Sequence, residues 1–170
     1  MSVDFKGMNI LITGASSGIG RQAAITYGKH NARVIALGRS QSALEMLDDD
    51  LARYNCDVIN VPFNLMEFNL IKDMEEKLSE RIDRLDILFL NAATFRGLTP
   101  VTHIDEKEWN ETFAVNLTSN VILLKLFEPY LRKAKKSQVL VSTSDITNQK
   151  KPFWGLYSAS KAALEQIVYS

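Results

Sequence analysis

Residues 8–24 read MNILITGASSGIGRQAA, an apolar run that closes on Thr13 and passes straight into a turn with glycines at positions 14, 18 and 20. Glycine permits a tight strand-to-helix turn. It also lets backbone N–H groups and the first turn of the next helix come close to an anion, above all the pyrophosphate of a dinucleotide. The G-x-x-x-G-x-G spacing would fit a loop that holds nothing; its place directly after a first strand is what points to a ligand. A nucleoside-triphosphate loop needs Lys and then Ser or Thr after its last glycine, whereas Arg21 and Gln22 follow Gly20 here, so that reading fails.

Outward from this turn the pattern repeats. Short runs rich in Ile, Val and Leu recur at residues 32–37 (ARVIAL), 57–63 (DVINVPF), 86–91 (DILFLN) and 137–143 (SQVLVST), each separated from the next by a stretch of helical periodicity. The runs are continuous rather than alternating, which predicts strands buried on both faces, as in a parallel sheet covered by helices on each side. The expected class is therefore α/β: a doubly wound, three-layer parallel sheet of five strands, the Rossmann arrangement. The spacing predicts a first helix over 18–30 ending at Asn31, and a second after the N-cap Ser40 that carries Leu44, Leu47 and Leu51 inward. A third is predicted over 68–82 with Leu70, Ile71, Met74 and Leu78 on one face, and a long one over 106–133 with Pro129 near its end.

With 170 residues the chain suits one domain, 1–170. Twenty Lys and Arg balance twenty Asp and Glu, which gives no general attraction to nucleic acid or to an anionic membrane. No run of apolar residues is long enough to span a bilayer, and the N-terminus lacks the charged and apolar regions of a signal peptide. Cys56 stands alone, so it forms no internal disulfide and starts no metal cluster, and the expected setting is the cytoplasm. The expected partner is a small molecule.

Two further groups carry chemistry. At the end of the second run the sequence has Gly38 and Arg39, where an acid would bind an adenosine ribose hydroxyl and repel a 2′-phosphate; a guanidinium there favours NADP(H) over NAD(H). In residues 155–161, GLYSASK, Tyr157 and Lys161 lie four apart and share a helix face. An ammonium beside a phenol stabilises phenolate and lowers its pKa, which makes a proton donor or acceptor. Ser144, thirteen residues before Tyr157, follows the fifth run, where ligands of open α/β sheets bind.

Taken in order, TGASSGIG (13–20), NAA (91–93), Asn116 in AVNLTS, Ser144 in VSTSD and YSASK (157–161) resemble the short-chain dehydrogenase/reductase family. The resemblance implies an oxidoreductase that moves a hydride between nicotinamide and a carbonyl or secondary alcohol. Tyr157 would be the general acid, Lys161 its pKa-lowering partner and a ligand of the nicotinamide ribose, and Ser144 rather than Ser142 the substrate-oxygen donor. Asn116 would order water for a proton relay. Gly14, Ser16, Ser17, Gly18, Ile19, Gly20, Arg39, Asn64, Leu65, Asn91, Ala92 and Ala93 would line the cofactor, with Tyr157 and Lys161 at its reactive end. Family members pair through the helices that carry Asn116 and Tyr157, which implies a homodimer or homotetramer.

Three features depart from the family pattern. Ala93 stands where a glycine is usual and brings a methyl group toward the cofactor, and Asn64 replaces an aspartate. The chain also stops at Ser170, before the further strands and substrate lid that family members carry. The expectation is of a partial domain, inactive by itself, with Ser170 inside the catalytic helix. The alternative function is a subunit that binds a dinucleotide without turning it over. The substrate stays open: Phe95, Phe153, Trp154, Lys150 and Lys151 border it, and His103 reads as a loop residue.

Overall fold

The five apolar runs form five parallel strands in the computed structural model, which describes residues 4–169. They are β1 (Asn9–Thr13), β2 (Arg33–Gly38), β3 (Val58–Pro62), β4 (Ile87–Leu90) and β5 (Gln138–Val141), hydrogen-bonded in the order β3-β2-β1-β4-β5. The opening run is thus the middle strand, with Ile10 paired to Val34 on one side and to Ile87 on the other. Strand order reverses between β1 and β4, the place where open α/β sheets hold ligands beyond their carboxyl ends.

Burial on both faces is found where the sheet is deepest and lost at its edges. Every residue of β1 is buried and β2 is buried from Val34 on, but β3 alternates and β5 is only half-covered. Among the described residues β5 has a neighbour on one side only, so its apolar run reflects position in the sheet less than the run of β1 does.

Among the described residues six α-helices complete the layers: α1 (Gly18–Lys29), α2 (Gln41–Ala52), α3 (Ile71–Ser79), α4 (Glu106–Phe113), α5 (Ser119–Lys133) and α6 (Gly155–Val168). Because side chains of a strand alternate, Ile10 and Ile12 pack with Leu44, Leu47 and Leu51 of α2 on one face. Leu11 packs on the other face in a core shared with Met74 and Leu78 of α3 and Leu123 and Phe127 of α5. The expected ends of the first two helices hold. Asn31 takes the left-handed conformation (φ 67°) just past α1, and the Ser40 hydroxyl accepts from Ala43 N at 3.2 Å to cap α2.

Two expectations are corrected. The third helix is shorter than 68–82: residues Phe68–Leu70 make a single 3₁₀ turn and α3 ends at Ser79. The tighter turn, three residues rather than 3.6, rotates Leu70 off the inward stripe, and it is 41% exposed, while Ile82 is buried from the loop beyond. The long helix over 106–133 keeps both of its bounds but is not uniformly α-helical. A π-turn at Ala114–Thr118 separates α4 from α5, with Ser119 N donating to Ala114 O five residues back. Ser170, expected inside the last helix, lies outside the described residues.

Candidate active site

Beyond the carboxyl ends of β1, β2 and β4 lies a cavity of about 450 Å³. Its wall is made of Gly14, Ser16, Ser17, Gly18 and Ile19 from the first turn, Gly38 and Arg39 after β2, Asn64 and Leu65 after β3, and Asn91, Ala92 and Ala93 after β4. With Gly38 added, these are the residues read from the sequence as cofactor ligands, apart from Tyr157 and Lys161 and from Gly20, which lies beneath the wall. A Cβ on Gly20 would overlap the Gly14 carbonyl oxygen and come within 2.5 Å of Asn91 Nδ2. Gly14 has φ +68°, and a Cβ there would meet Ala92 Cα at 3.0 Å. The turn therefore folds tightly onto the end of β4 only because both positions lack side chains.

The donor set fits a phosphate-bearing dinucleotide. Ser17 makes no side-chain cap on α1 and the first turn of α1 holds no acid, so its N–H groups and dipole face the cavity uncompensated. Arg39 is exposed and has no ion-pair partner among the described residues. Asn64 spends its side-chain oxygen on Met66 N at 3.2 Å, which leaves the NH₂ to donate. The cavity wall also includes residues the sequence did not single out, among them Val115, Arg96 and Glu111, the last two forming an ion pair.

Tyr157 and Lys161 stand off this wall, on α6, and are tied to it through a chain of hydrogen bonds. Lys161 is 1% exposed and donates from Nζ to the Ser142 carbonyl at 2.7 Å. Ser142 donates from Oγ to Asn91 Oδ1 at 2.9 Å, and Asn91 Nδ2 donates to Thr13 O at 3.1 Å. Thr13 Oγ1 in turn accepts from the backbone N–H groups of Asn91 and Ala92, both at 2.9 Å. Ser142, set aside in the sequence in favour of Ser144, and Thr13, not a candidate there, connect the lysine to the glycine turn. The commitment also distinguishes the two serines: the Ser142 hydroxyl proton is spent, whereas Ser144 only accepts, from Ile146 N at 3.4 Å, and donates to nothing among the described residues.

Asn116 sits in the π-turn, fully buried, with both of its amide N–H donors in use. Oδ1 accepts from Thr94 N at 2.7 Å, while Nδ2 donates to Thr94 O and to Ser160 Oγ, both at 3.0 Å. Ser160 Oγ donates to the Tyr157 carbonyl at 2.8 Å. The side chain thus clips the loop after β4 to α6. The carbonyls released by the π-turn are taken up locally: Ser119 Oγ donates to Val115 O at 2.8 Å and Asn120 Nδ2 to Asn116 O at 2.8 Å. Asn120 is itself fully buried, with Oδ1 unpartnered among the described residues. Turns of this kind recur at functional sites.

Tyr157 is half-buried, packed edge-on to Phe95 (centroids 5.4 Å apart) and to Trp154 (6.2 Å). Burial pushes its phenol up from the ordinary tyrosine value, opposite to the lowering expected from Lys161. The reason is geometric, since Lys161 Nζ lies 5.9 Å from the tyrosine ring centroid and points its proton at Ser142. Lys161 is in turn pushed down by burial, partly opposed by the charge of Glu165. His103 lies exposed in a 3₁₀ turn, as expected of a loop residue.

The model of the short chain dehydrogenase family matches residues 8–170. The oxidoreductase YciK of Escherichia coli (strain K12) is 32% identical over 165 residues, covering 94% of this chain and 64% of that protein. The fatty acyl-CoA reductase Rv0547c of Mycobacterium tuberculosis is 29% identical over 169 residues, 97% of this chain and 57% of that one. The chain therefore spans less than two thirds of either relative. A short chain dehydrogenase structure from Escherichia coli CFT073, complexed with NADPH, superposes with a TM-score of 0.91 at 28% identity, over 96% of this chain and 69% of that one. No helix among the described residues is long and apolar enough to cross a membrane.

Proposed function

The chain belongs to the short-chain dehydrogenase family, and from that premise we propose that it interconverts a carbonyl and a secondary alcohol with NADP(H), using Tyr157 as the general acid or base. The observation that carries this reading is Lys161. A buried ammonium is costly, and this one is held by a single backbone carbonyl one helical turn from a phenol. A purely structural lysine gains nothing from that place.

The turn at Gly14, Ser16, Ser17, Gly18 and Ile19 would hold the pyrophosphate, Asn64 and Leu65 the adenine, and Asn91, Ala92 and Ala93 the path toward the nicotinamide. When bound, the nicotinamide supplies or accepts the hydride. Ser144, whose hydroxyl proton is uncommitted, would hydrogen-bond the substrate oxygen. Tyr157, protonated at neutral pH like any tyrosine and held more firmly so by its burial, would release its proton as that oxygen gains charge. Lys161 would then stabilise the phenolate left behind. Asn116 would hold the loop and α6 in register, its amide being spent on Thr94 and Ser160.

Preference for the phosphorylated cofactor rests on Arg39, unpaired at the cavity wall, and on the absence of a carboxylate at Gly38. The NADPH complex of the similar protein supports the same choice. Pairing of two or more copies through the faces of α5 and α6, where Val121 is 37% exposed, belongs to the same proposal. So does a cytoplasmic setting, consistent with the one free thiol, Cys56.

The test is NADPH oxidation with a panel of ketones, followed by loss of near-ultraviolet absorbance, in wild type and Tyr157→Phe. The substitution removes a proton donor and no bulk, so the rate is expected to fall about 100-fold or more. Retention of more than about a tenth of the rate would overturn the acid role. Saturable cofactor binding with no turnover of any ketone would favour a binding subunit instead.

A further inference from the structure

We propose that the aromatic wall formed by Phe95 and Trp154 against Tyr157 selects carbonyl compounds that carry a flat aromatic ring next to the reacting carbon. The inference rests on the reading of Tyr157 as the proton donor and adds the substrate class.

Two loops build the wall. One follows β4 and carries Phe95; the other precedes α6 and carries Phe153 and Trp154. They are joined where Thr99 N donates to Phe153 O at 3.2 Å. That bond is made with Phe153 at φ +70°, in the left-handed region that a large side chain rarely adopts, and with Gly97 at φ +126° on the facing loop. Strain of this kind persists where the surroundings over-determine it. Here it brings the ring of Trp154 onto that of Phe95, stacked at 5.1 Å with planes 17° apart. Trp154 is three residues before Tyr157 and so shares its face of α6. Both rings meet the tyrosine edge-on, at 5.4 and 6.2 Å between centroids.

The stacked pair is not covered on all sides: Phe95 is 48% exposed, and Leu98 (54%) and Phe153 (53%) on the same two loops are exposed as well. A carbonyl oxygen within hydrogen-bonding reach of the Tyr157 phenol must place its substituents within a few ångström of that exposed surface. A polyol substituent would give up water there for rings that offer no acceptor. A saturated ring touches a flat wall with only some of its atoms. An aromatic ring adds a further layer to the stack, and such contacts are worth about threefold to tenfold in affinity beyond the area they cover.

The wall can be read without turnover, because Trp154 is one of only two tryptophans. Their indole N–H resonances are assigned by Trp109→Phe, and the protein is titrated with acetophenone and with cyclohexyl methyl ketone, which differ in ring planarity and not in carbon skeleton. The Trp154 signal is expected to shift saturably with both, with acetophenone binding at least about threefold more tightly. Phe95→Leu, apolar but not planar, should reduce that ratio toward one. Equal affinities in wild type, an unchanged ratio in Phe95→Leu, or no saturable shift with either ketone, as when another segment or a second copy covers the wall, would overturn the inference. Selective binding without reduction upholds the wall and sinks the oxidoreductase reading. Reduction of both ketones with equal kcat/KM and equal affinity does the reverse.

Discussion

The glycine turn after β1 and the hydrogen-bonded cluster around α6 lie at the same end of one sheet, yet they are built from different materials. The turn is backbone. Its shape follows from what is missing at Gly14 and Gly20, where a single methyl group would meet Ala92, Asn91 or the turn itself. The cluster depends on side chains that reach one another or a main-chain group: Asn116 to the Thr94 main chain and to Ser160 Oγ, Lys161 to the Ser142 carbonyl, Ser142 Oγ to Asn91. Sterics tolerate few sequences and leave a sharp pattern. Hydrogen bonds can be satisfied in several ways and leave a fainter one.

The comparison breaks first at Asn116. Replacing it with Leu, of similar volume, leaves Thr94 N and O without their side-chain partner and Ser160 Oγ without its donor. At about 1–3 kcal/mol for each buried group left unpaired, the loss of stability should reach about 3 kcal/mol or more, read as the shift of a denaturant midpoint. Asn116→Ser, which keeps a donor, should cost less. If Asn116→Leu unfolds within about 0.5 kcal/mol of wild type, the clip between loop and helix is not what holds the site.

Gly20→Ala attacks the turn instead. Overpacking against the Gly14 carbonyl should cost about 2 kcal/mol and weaken dinucleotide binding as well, since the turn cannot keep its approach to β4. A variant with normal stability and normal affinity would mean that the turn has room to spare, and the contrast between the two regions would fall.

How much of this is legible in the sequence follows the same division. The turn from Thr13 to Gly20 could be read outright because no side chain fits at Gly14 or Gly20, and the parallel strands followed from continuous apolar runs. The π-turn could not. Its apolar stripe resembles that of an unbroken helix, and the residues that accommodate it, Ser119 and Asn120, look like surface polar residues until both prove buried. Nor could the work of Ser142 be read, because the serine that supports Lys161 does so through its carbonyl, which any residue possesses. Leu70 misled for a related reason: a 3₁₀ turn shifts the face by a fraction of a turn that periodicity over a few residues does not resolve.

The smallest effect is one of sign. Burial holds the folded-state pKa of Lys161 below its ordinary 10.5, so between the folded value and 10.5 the unfolded chain binds more protons. Stability contributed by this site must therefore rise as pH rises through that window, and the penalty is fully present below it. Measured against Lys161→Met, in which the titration is gone, the wild type should gain thermal stability relative to the variant between neutral pH and pH 10. A difference that stays flat or shrinks in the other direction would mean that Lys161 is hydrated or paired in solution.

The central claim is that the glycine-walled cavity takes the phosphorylated dinucleotide on its own, apart from the proton chemistry of α6. Calorimetric titration of NADPH and NADH into wild type, Arg39→Ala and Tyr157→Phe tests it most directly. The account predicts at least about tenfold tighter binding of NADPH by wild type, a difference of about 1.4 kcal/mol. It predicts loss of that preference in Arg39→Ala, and NADPH affinity within about threefold of wild type in Tyr157→Phe, which lies off the cavity wall. Equal affinities for the two cofactors in wild type, or a preference untouched by Arg39→Ala, would contradict it.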